Sequence, residues 1–520
     1  MRSYFLLFFL FLSKASNSFC ADQSFVVPLT LSELVNQVVR RNARAIYQKL
    51  QYRIASHQVE FERGIFDPSL FVNLKKERNH TPNTAQEAAT RQFESEYKDQ
   101  TELYEAGVGW LSRKGTEWKV DFSYDRHSST VVDRFRQDSN EHTSGLKINV
   151  RQPLSRGKGE LATQIKISLA KIEKKVSFDE YRKALMDLVG LAISNYWNLY
   201  GAQQLARSWD ESLFLATKQL ADARLRVKSG KASKVHLLEL QVAVSQRKIE
   251  LDSIRSKIAQ LHNQIFGLLS VSAIENKDIL FELRDLPEVE KTPIPDLELS
   301  YQLALRNWPE IQISKGRQKI EILKHQYAMK QVLPRIDMVA NLSSNSLDFS
   351  ASRSLGQFAS GGFLSHFVGV EYSVAFDKTS LKQNLKMAEL RLKQADLQID
   401  SLTRTLYNSL LDKIETLSLS KSQMLEYKKA LRLRRKLLSI SKERMEYGKI
   451  GLRDHLEEQE KLIGHQRKNL SGIVDLKLSE ATVQKAMGTL LSRFEVEVEE
   501  LGNQDKLYDD GPLSFEDSDG

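Results

Sequence analysis

RVKSGKAS (Arg226 to Ser233) and RMEYGKIG (Arg444 to Gly451) carry the same Arg-x-x-x-Gly punctuation 218 positions apart, each between long stretches of helical periodicity. Lys158 to Val227 and Lys378 to Tyr447 contain no proline, and apolar residues recur at threes and fours: Leu161, Ile165, Leu169, Ile172 and Val176 in the first stretch. At 1.5 Å per residue, about 70 residues make a rod of about 100 Å, the length of a compartment rather than a core. After each glycine a second periodic leg returns, through LLELQVAVSQRKIEL and LEEQEKLIGHQRKNL. Both motifs therefore read as bends between antiparallel helices, with Gly230 and Gly448 supplying a positive φ.

The duplication extends outward from the bends. Setting Leu31 onward beside Leu299 onward brings Asn42 onto Asn307 at an offset of 265, and Pro68 onto Pro334 at 266, with one insertion between them. Each segment reads as a helix that stops at a proline and hands over to a strand. QIFGLL (from Gln264) echoes QKAMGTLL (from Gln484), so two copies of one unit fill nearly the whole chain. Between its proline and its arginine the first copy is 48 residues longer than the second, which puts the surplus before the first long helix.

In that region the period changes to two. EWKVDFSYD places Trp118, Val120, Phe122 and Tyr124 on one face, and Lys119, Asp121, Ser123 and Asp125 on the other. GLKINVRQ alternates Leu146, Ile148 and Val150 against Lys147, Asn149 and Arg151, and FVGVEYSVAF does the same in the second copy. Apolar-out, polar-in alternation with terminal aromatics is the pattern of a strand in a water-filled barrel, and equally of a half-buried strand in a soluble sheet. Its recurrence between the same two helices of each copy favours the barrel. Two to four strands per copy cannot close one, and an open edge in lipid leaves unpaired N–H and C=O groups, so several chains would have to pool strands. Asn79 to Gln100 and Ser343 to Gly362 read as polar loops, and Ala106 to Leu111 with Glu117 to Asp125 as an additional hairpin that extends the barrel or stands above it.

Arg2, the apolar run Phe5 to Leu12 and small residues from Ala15 to Ala21 read as an export signal. Cys20, the only cysteine, follows the bulky Phe19, a poor fit to lipoprotein processing, and no disulfide framework can be built from it. The chain is 28% charged with only 10 prolines and 24 glycines, a balance that suits long solvated helices. Its net charge of +9 is spread among Glu and Asp along helical faces, which argues against a nucleic-acid partner. No segment approaches the ~20 apolar residues of a membrane-spanning helix. The resulting division is residues 1–20 as signal peptide and 21–290 as first repeat (strands about 69–152, helical hairpin about 158–269). Residues 291–494 form the second repeat (strands about 335–376, hairpin about 378–491), and 495–520 an acidic disordered tail.

LTLSELVNQVVRRN, GIFDPSLFV, VRQPLSRG, NYWNLYGAQQLA and RVKSGKASKVHLLELQ, with ALRNWPEI, LPRIDM and RMEYGKIGLRDHLEEQ in the second repeat, resemble the TolC-like outer-membrane efflux proteins over Leu29 to Leu491. The resemblance implies a mostly α fold with a membrane β-barrel: a homotrimer whose strands pool into one barrel, above an α-barrel tunnel crossing the periplasm. It implies four strands per chain, two from each repeat. It also implies a periplasmic adaptor coupled to an inner-membrane pump, and places Arg226, Gly230, Ser233, Arg444, Gly448 and Gly451 at the adaptor-facing tips. Asp454 matches an acidic position after the second bend and is the aperture candidate, whereas the first repeat has His236 there. Ala375 stands where the family has a proline before the long helix.

No HExxH, CxxC, GxSxG or phosphate-loop pattern occurs, and RGKGE (Arg156 to Glu160) lacks the upstream glycine of such a loop. His455 and His465 fall on different helical faces, Trp197 and Tyr200 read as packing, and Leu431 to Leu438 as a solvated or salt-bridging face. The expectation is a passive outer-membrane exit duct, not an enzyme, with no cofactor or metal. The alternative is an exported coiled-coil scaffold or adaptor without a channel.

Overall fold

The computed structural model describes residues 25–496 and 498, apart from 92, 136–139, 231, 232, 273, 275–278, 289–291 and 362. The expected export signal, and the acidic tail from 499 on, lie outside the described residues.

The first repeat runs β1 (Phe25–Leu29), α1 (Leu31–Arg41), α2 (Ala43–Arg63), β2 (Ser69–Pro82), α3 (Ala85–Thr90), β3 (Glu96–Leu111), β4 (Glu117–Ser129), α4 (Thr130–Phe135), β5 (Glu141–Pro153), α5 (Glu160–Thr163), α6 (Ile165–Lys228) and α7 (Lys234–Leu268). After β6 (Ile279–Leu283) the second runs α8 (Leu297–Asn307), α9 (Pro309–Gln331), β7 (Arg335–Asp348), α10 (Ala351–Ala359), β8 (Phe363–Ser373), α11 (Thr379–Glu446), α12 (Leu452–Met487) and α13 (Leu490–Arg493). The expected 70-residue rods are helices of 64 and 68 residues, and a separate turn, α5, precedes the first. Among the described residues no helix is long and apolar enough to cross a membrane.

Helix ends correct the alignment. Thr30 starts α1 with a capping box, its Oγ1 accepting from Glu33 N while Glu33 Oε2 accepts from Thr30 N. Asp296 caps α8 in the same place, its Oδ1 accepting from Leu299 N. α1 and α8 start and end 266 positions apart, as do β2 and β7. The helix break at Asn42 (ψ 124°) therefore matches Trp308 (ψ 119°), not Asn307, and no insertion separates it from the proline. The offset falls to 218 by the first residue of α7 and of α12, which is the 48-residue surplus. β2 and β7 are equivalent, as are β5 and β8, and the surplus holds β3 and β4.

The chain divides into two compact units. In the first (25–50, 180–310 and 402–498) α1 buries Leu34, Val35 and Val38 against Leu185, Leu188, Val189 and Ala192 of α6, with Leu261 and Ile265 of α7 and Leu490 of α13. β1 and β6 add a short parallel ribbon, Phe25 opposite Ile279, which the sequence had not announced. Asp285 pins its edge, accepting from Leu31 N at 2.6 Å and from Tyr196 Oη at 2.8 Å. Burial, reinforced by Asp285, pushes the Tyr196 phenol well above its ordinary range. Val496 and Val498 still pack on this core, so the chain stays attached beyond 494.

The second unit (51–179 and 311–401) holds a six-stranded sheet of order β2-β3-β4-β5-β7-β8, antiparallel throughout. The additional hairpin thus extends the sheet from within, giving six strands where the resemblance implies four. Two strands can enter without disturbing the rest because they return the chain to its original direction; one alone would reverse it. β2 runs to Pro82 and β3 starts at Glu96, so the ends of the expected loop 79–100 are strand. In the same unit Tyr52 meets Phe178 at 5.2 Å, and a Cβ on Gly316 would lie 2.4 Å from Val176 Cγ2.

Candidate functional site

Register makes the sheet two-faced. Because partners share a face, all even-numbered strand residues lie on one side. Leu70 opposes Val108, Val108 opposes Val120, Val120 opposes Ile148 and Ile148 opposes Leu342. Leu70, Val72, Leu74, Leu342, Val368 and Val370 of this face are exposed. Aromatic pairs bound the apolar band on β3 and β4: Trp110 and Trp118 stack at 5.7 Å, and Tyr104 meets Tyr124 at 6.0 Å. From Trp110 to Tyr104 is about 20 Å of strand, close to the ~25 Å lipid-facing band of membrane barrels. One row beyond the tyrosines the face turns ionic, with Lys76 2.7 Å from Glu102 and Arg126 3.7 Å from it. α10 lies on this side too: Ser354 Oγ is 2.9 Å from Ser144 Oγ and 3.1 Å from Ser346 Oγ, and Phe358 stands edge-on to Phe122.

The odd-numbered face is polar and more enclosed. Asp121 is 3% and Asp337 2% exposed. Asp337 accepts from Arg151 Nη1 at 3.1 Å and from Arg335 Nε at 2.8 Å, and Arg151 also reaches Glu371 at 3.0 Å. Among the described residues the outermost strands, β2 and β8, each have a partner on one side only, so the sheet is open in the single chain. Apolar residues outside and ion pairs inside are the arrangement of a wall between lipid and water, provided the open edges find partners.

The bends form as the glycine spacing implies. Gly230 (φ 72°) and Gly448 (φ 68°) are left-handed, and a Cβ on either would meet nothing within 4 Å, so backbone conformation alone selects glycine. Lys449 N donates to Arg444 O at 2.8 Å, closing the end of α11. Ser233 caps α7, its Oγ accepting from Val235 N. Gly451 starts α12, and Asp454 Oδ2 accepts from Gly451 N at 3.2 Å, which gives the aperture candidate a local capping role. The side chains of Arg226 and Arg444 are exposed, with no ion pair among the described residues.

Between the hairpins runs a polar chain that periodicity had hidden. Arg247, 2% exposed, occupies a slot in the apolar stripe Leu240, Ala243, Leu251 of α7. Its Nε donates to Ser212 Oγ at 2.8 Å and its Nη2 to Gln459 Oε1 at 3.3 Å, while Nη1 has no hydrogen-bond partner among the described residues. Gln459 Nε2 is 3.0 Å from His455 Nε2, and His455 Nδ1 is 3.1 Å from Ser441 Oγ. Burial, and then Lys442, lower the pKa of His455, which is 4% exposed, so it is held neutral. The detectable signal was an arginine in an apolar slot. Trp197 is buried, with Tyr196 and Tyr200 edge-on to it, and Arg434 of the basic run pairs with Glu458 at 2.9 Å. Among the described residues no group of His, Cys, Asp and Glu could hold a metal ion.

Neither a sequence-family model nor a curated protein sequence matches the chain. Solved structures that share its fold include the CmeC outer membrane channel of Campylobacter jejuni, 15% identical over 88% of this chain and 86% of that one, with a TM-score of 0.63. The outer membrane protein VceC of Vibrio cholerae is 14% identical over 88% and 96%, TM-score 0.60. The open-state MtrE outer membrane channel of Neisseria gonorrhoeae is 14% identical over 92% and 95%, TM-score 0.61.

Proposed function

We propose that this chain, whose fold is that of the TolC-like outer membrane channels, is a passive exit duct of the bacterial outer membrane that extends into the periplasm. The observation that carries this reading is the sheet: exposed apolar residues between aromatic pairs on one side, ion pairs on the other, and two open edges. In lipid each unpaired backbone group at those edges costs several kcal/mol, so the sheet is satisfied only when copies join β2 to β8 around a closed ring. The long hairpins support a homotrimer in which the helices line a tunnel.

On this reading the duct belongs to a tripartite efflux or type I secretion assembly. Arg226, Gly230 and Ser233, with Arg444, Gly448 and Gly451, face a periplasmic adaptor that couples the chain to an inner-membrane pump, and Asp454 lies near the aperture. Adaptor contact would shift the hairpins between closed and splayed populations, with no covalent chemistry and no cofactor. The exposed Arg226 and Arg444 side chains and the chain of hydrogen bonds from Ser212 to Ser441 support such a tip, free at its end and linked above it. Purified protein in planar bilayers is expected to give discrete channels, and in detergent gels a heat-modifiable oligomer. A monomer with no pore sinks the proposal.

A further inference from the structure

Beyond the tyrosine row, charge separates across β2, β3 and β4. In the rungs from Lys75 to Pro82 the odd-numbered side carries one strong cation, Lys75, against Glu77, Asp99 and Asp125. The even-numbered side of the same rungs carries Lys76, Arg78, Lys98 and Arg126, all exposed, against Glu96 and Glu102. Those two carboxylates are divided: Glu102 between Lys76 and Arg126, Glu96 between Lys98 at 3.7 Å and His80 at 2.9 Å. Arg78 is held by a neutral partner, Gln100 Oε1 accepting from its Nε at 3.2 Å and its Nη2 at 2.9 Å, and has no ion pair among the described residues. A cavity of about 650 Å³ is lined from these rungs by Arg78, Gln100, Ser128, His80, Lys98 and Thr130. Asp99, which also borders it, is an odd-numbered residue engaged by His127 at 3.1 Å.

We propose that this even-numbered surface of β2, β3 and β4 is a binding site for the phosphate groups of a lipid in the outer leaflet. The inference rests on the exit-duct reading, since only a closed sheet turns its even-numbered face to lipid. Depth supports it. The long helices join the sheet at its Trp110–Trp118 end, where β2 and β7 start and β5 and β8 stop, so on that reading the Tyr104–Tyr124 end points to the exterior. Between those two aromatic rows no even-numbered residue of β2, β3 or β4 is Lys, Arg, Asp or Glu. The cations start one row past the tyrosines, at the level where acyl chains give way to headgroups. There an arginine fork takes two phosphate oxygens and a lysine adds a point charge, next to hydrocarbon that weakens screening by water. Four of the contributing groups, Lys98, Gln100, Arg126 and Ser128, stand on the two inserted strands, so the insertion supplies much of the site.

The test titrates the purified full chain, in a zwitterionic detergent, with fluorescent diphosphoryl lipid A and reads anisotropy. Binding should saturate, and unlabelled diphosphoryl lipid A should compete whereas phosphatidylcholine should not. The variant combining Lys76→Gln, Arg78→Gln, Lys98→Gln and Arg126→Gln should bind at least about tenfold more weakly. Should that variant fail to assemble, Arg78→Gln alone decides, with a loss of about threefold. Lys75→Gln removes a cation from the same rungs on the other face and should leave binding unchanged. A loss with Lys75→Gln as large as with Arg78→Gln, equal competition by phosphatidylcholine, or binding unmoved in the variants overturns the site. Displacement of the probe by inorganic phosphate at the same concentration makes it a site for free anions and overturns the lipid. Each of these results, in protein that conducts in planar bilayers, leaves the duct standing; wild-type protein that forms no channel overturns the duct and the depth argument with it.

Discussion

The two repeats close one corner with different chemistry. In the first, the break before α2 is fastened by Ala43 N donating to Ser270 Oγ at 3.1 Å, with Ser270 in the left-handed region at φ 55°. In the second, position 309 is a proline with no N–H, and position 488 is a glycine with no side chain, at φ 74°. Donor and acceptor are absent together, so the corner keeps its backbone path without orphaning a polar group. The vacated space is used as well. A Cβ on Gly488 would lie 2.6 Å from the Asn307 carbonyl carbon and 2.7 Å from its oxygen, so in the second repeat the helix end closes directly onto backbone. A duplicated fold thus holds its geometry fixed while the interactions that enforce it are exchanged in pairs.

The sharpest way to break this comparison is Gly488→Ala, which adds a clash against fixed backbone to the left-handed strain. It is expected to cost about 3 kcal/mol or more, read as a lowered thermal midpoint by circular dichroism in detergent. Ser270→Ala leaves Ala43 N–H without its acceptor, for a loss of about 1.5 kcal/mol. Ala43→Pro with Ser270→Gly rewrites the first corner as the second. The costs of Ala43→Pro and Ser270→Gly taken singly should sum to about 1 kcal/mol more than the cost of the pair in a double-mutant cycle; strict additivity would refute the exchange. Gly230→Ala and Gly448→Ala meet open space, so each should cost only the left-handed penalty of about 1 kcal/mol, equal within error.

The smallest effect concerns acid. His455 in the second hairpin has Leu237 as its counterpart in the first, and its pKa is lowered by burial and then by Lys442. The unfolded chain takes up the proton first, so the stability from neutral His455 is whole above about pH 6.5 and is lost as the pH falls through the lowered folded value. His262, whose pKa burial also lowers, contributes with the same sign from the first repeat. His455→Gln should flatten the acid limb in part and leave the share due to His262.

Much of this was legible in the chain because the signals are local. The capping box of Thr30 and Glu33, the helix-ending prolines 68 and 334 and the glycine bends need only neighbouring residues to act, and the 48-residue surplus is arithmetic on matched positions. Most of the misses are long-range. Pairing of β1 with β6 joins residues 254 positions apart at Phe25 and Ile279, each too short a run to stand out. Residue identity pairs Asn42 with Asn307, although Trp308 holds the equivalent backbone conformation. The environment of Arg247 depends on Gln459 of another helix, and periodicity registers a charged residue only as solvated. That β3 and β4 enter the sheet between β2 and β5 could be known only from register.

The unfinished margins of β2 and β8 also bear on how such a protein is made. On the exit-duct proposal a freshly exported copy holds two adhesive borders, and any extended peptide it meets competes with the proper neighbour for them. On that proposal closure needs encounters between copies, so its rate depends on how many arrive together. Scarcity, rather than any fault in the sequence, would then be enough to divert the product into aggregates.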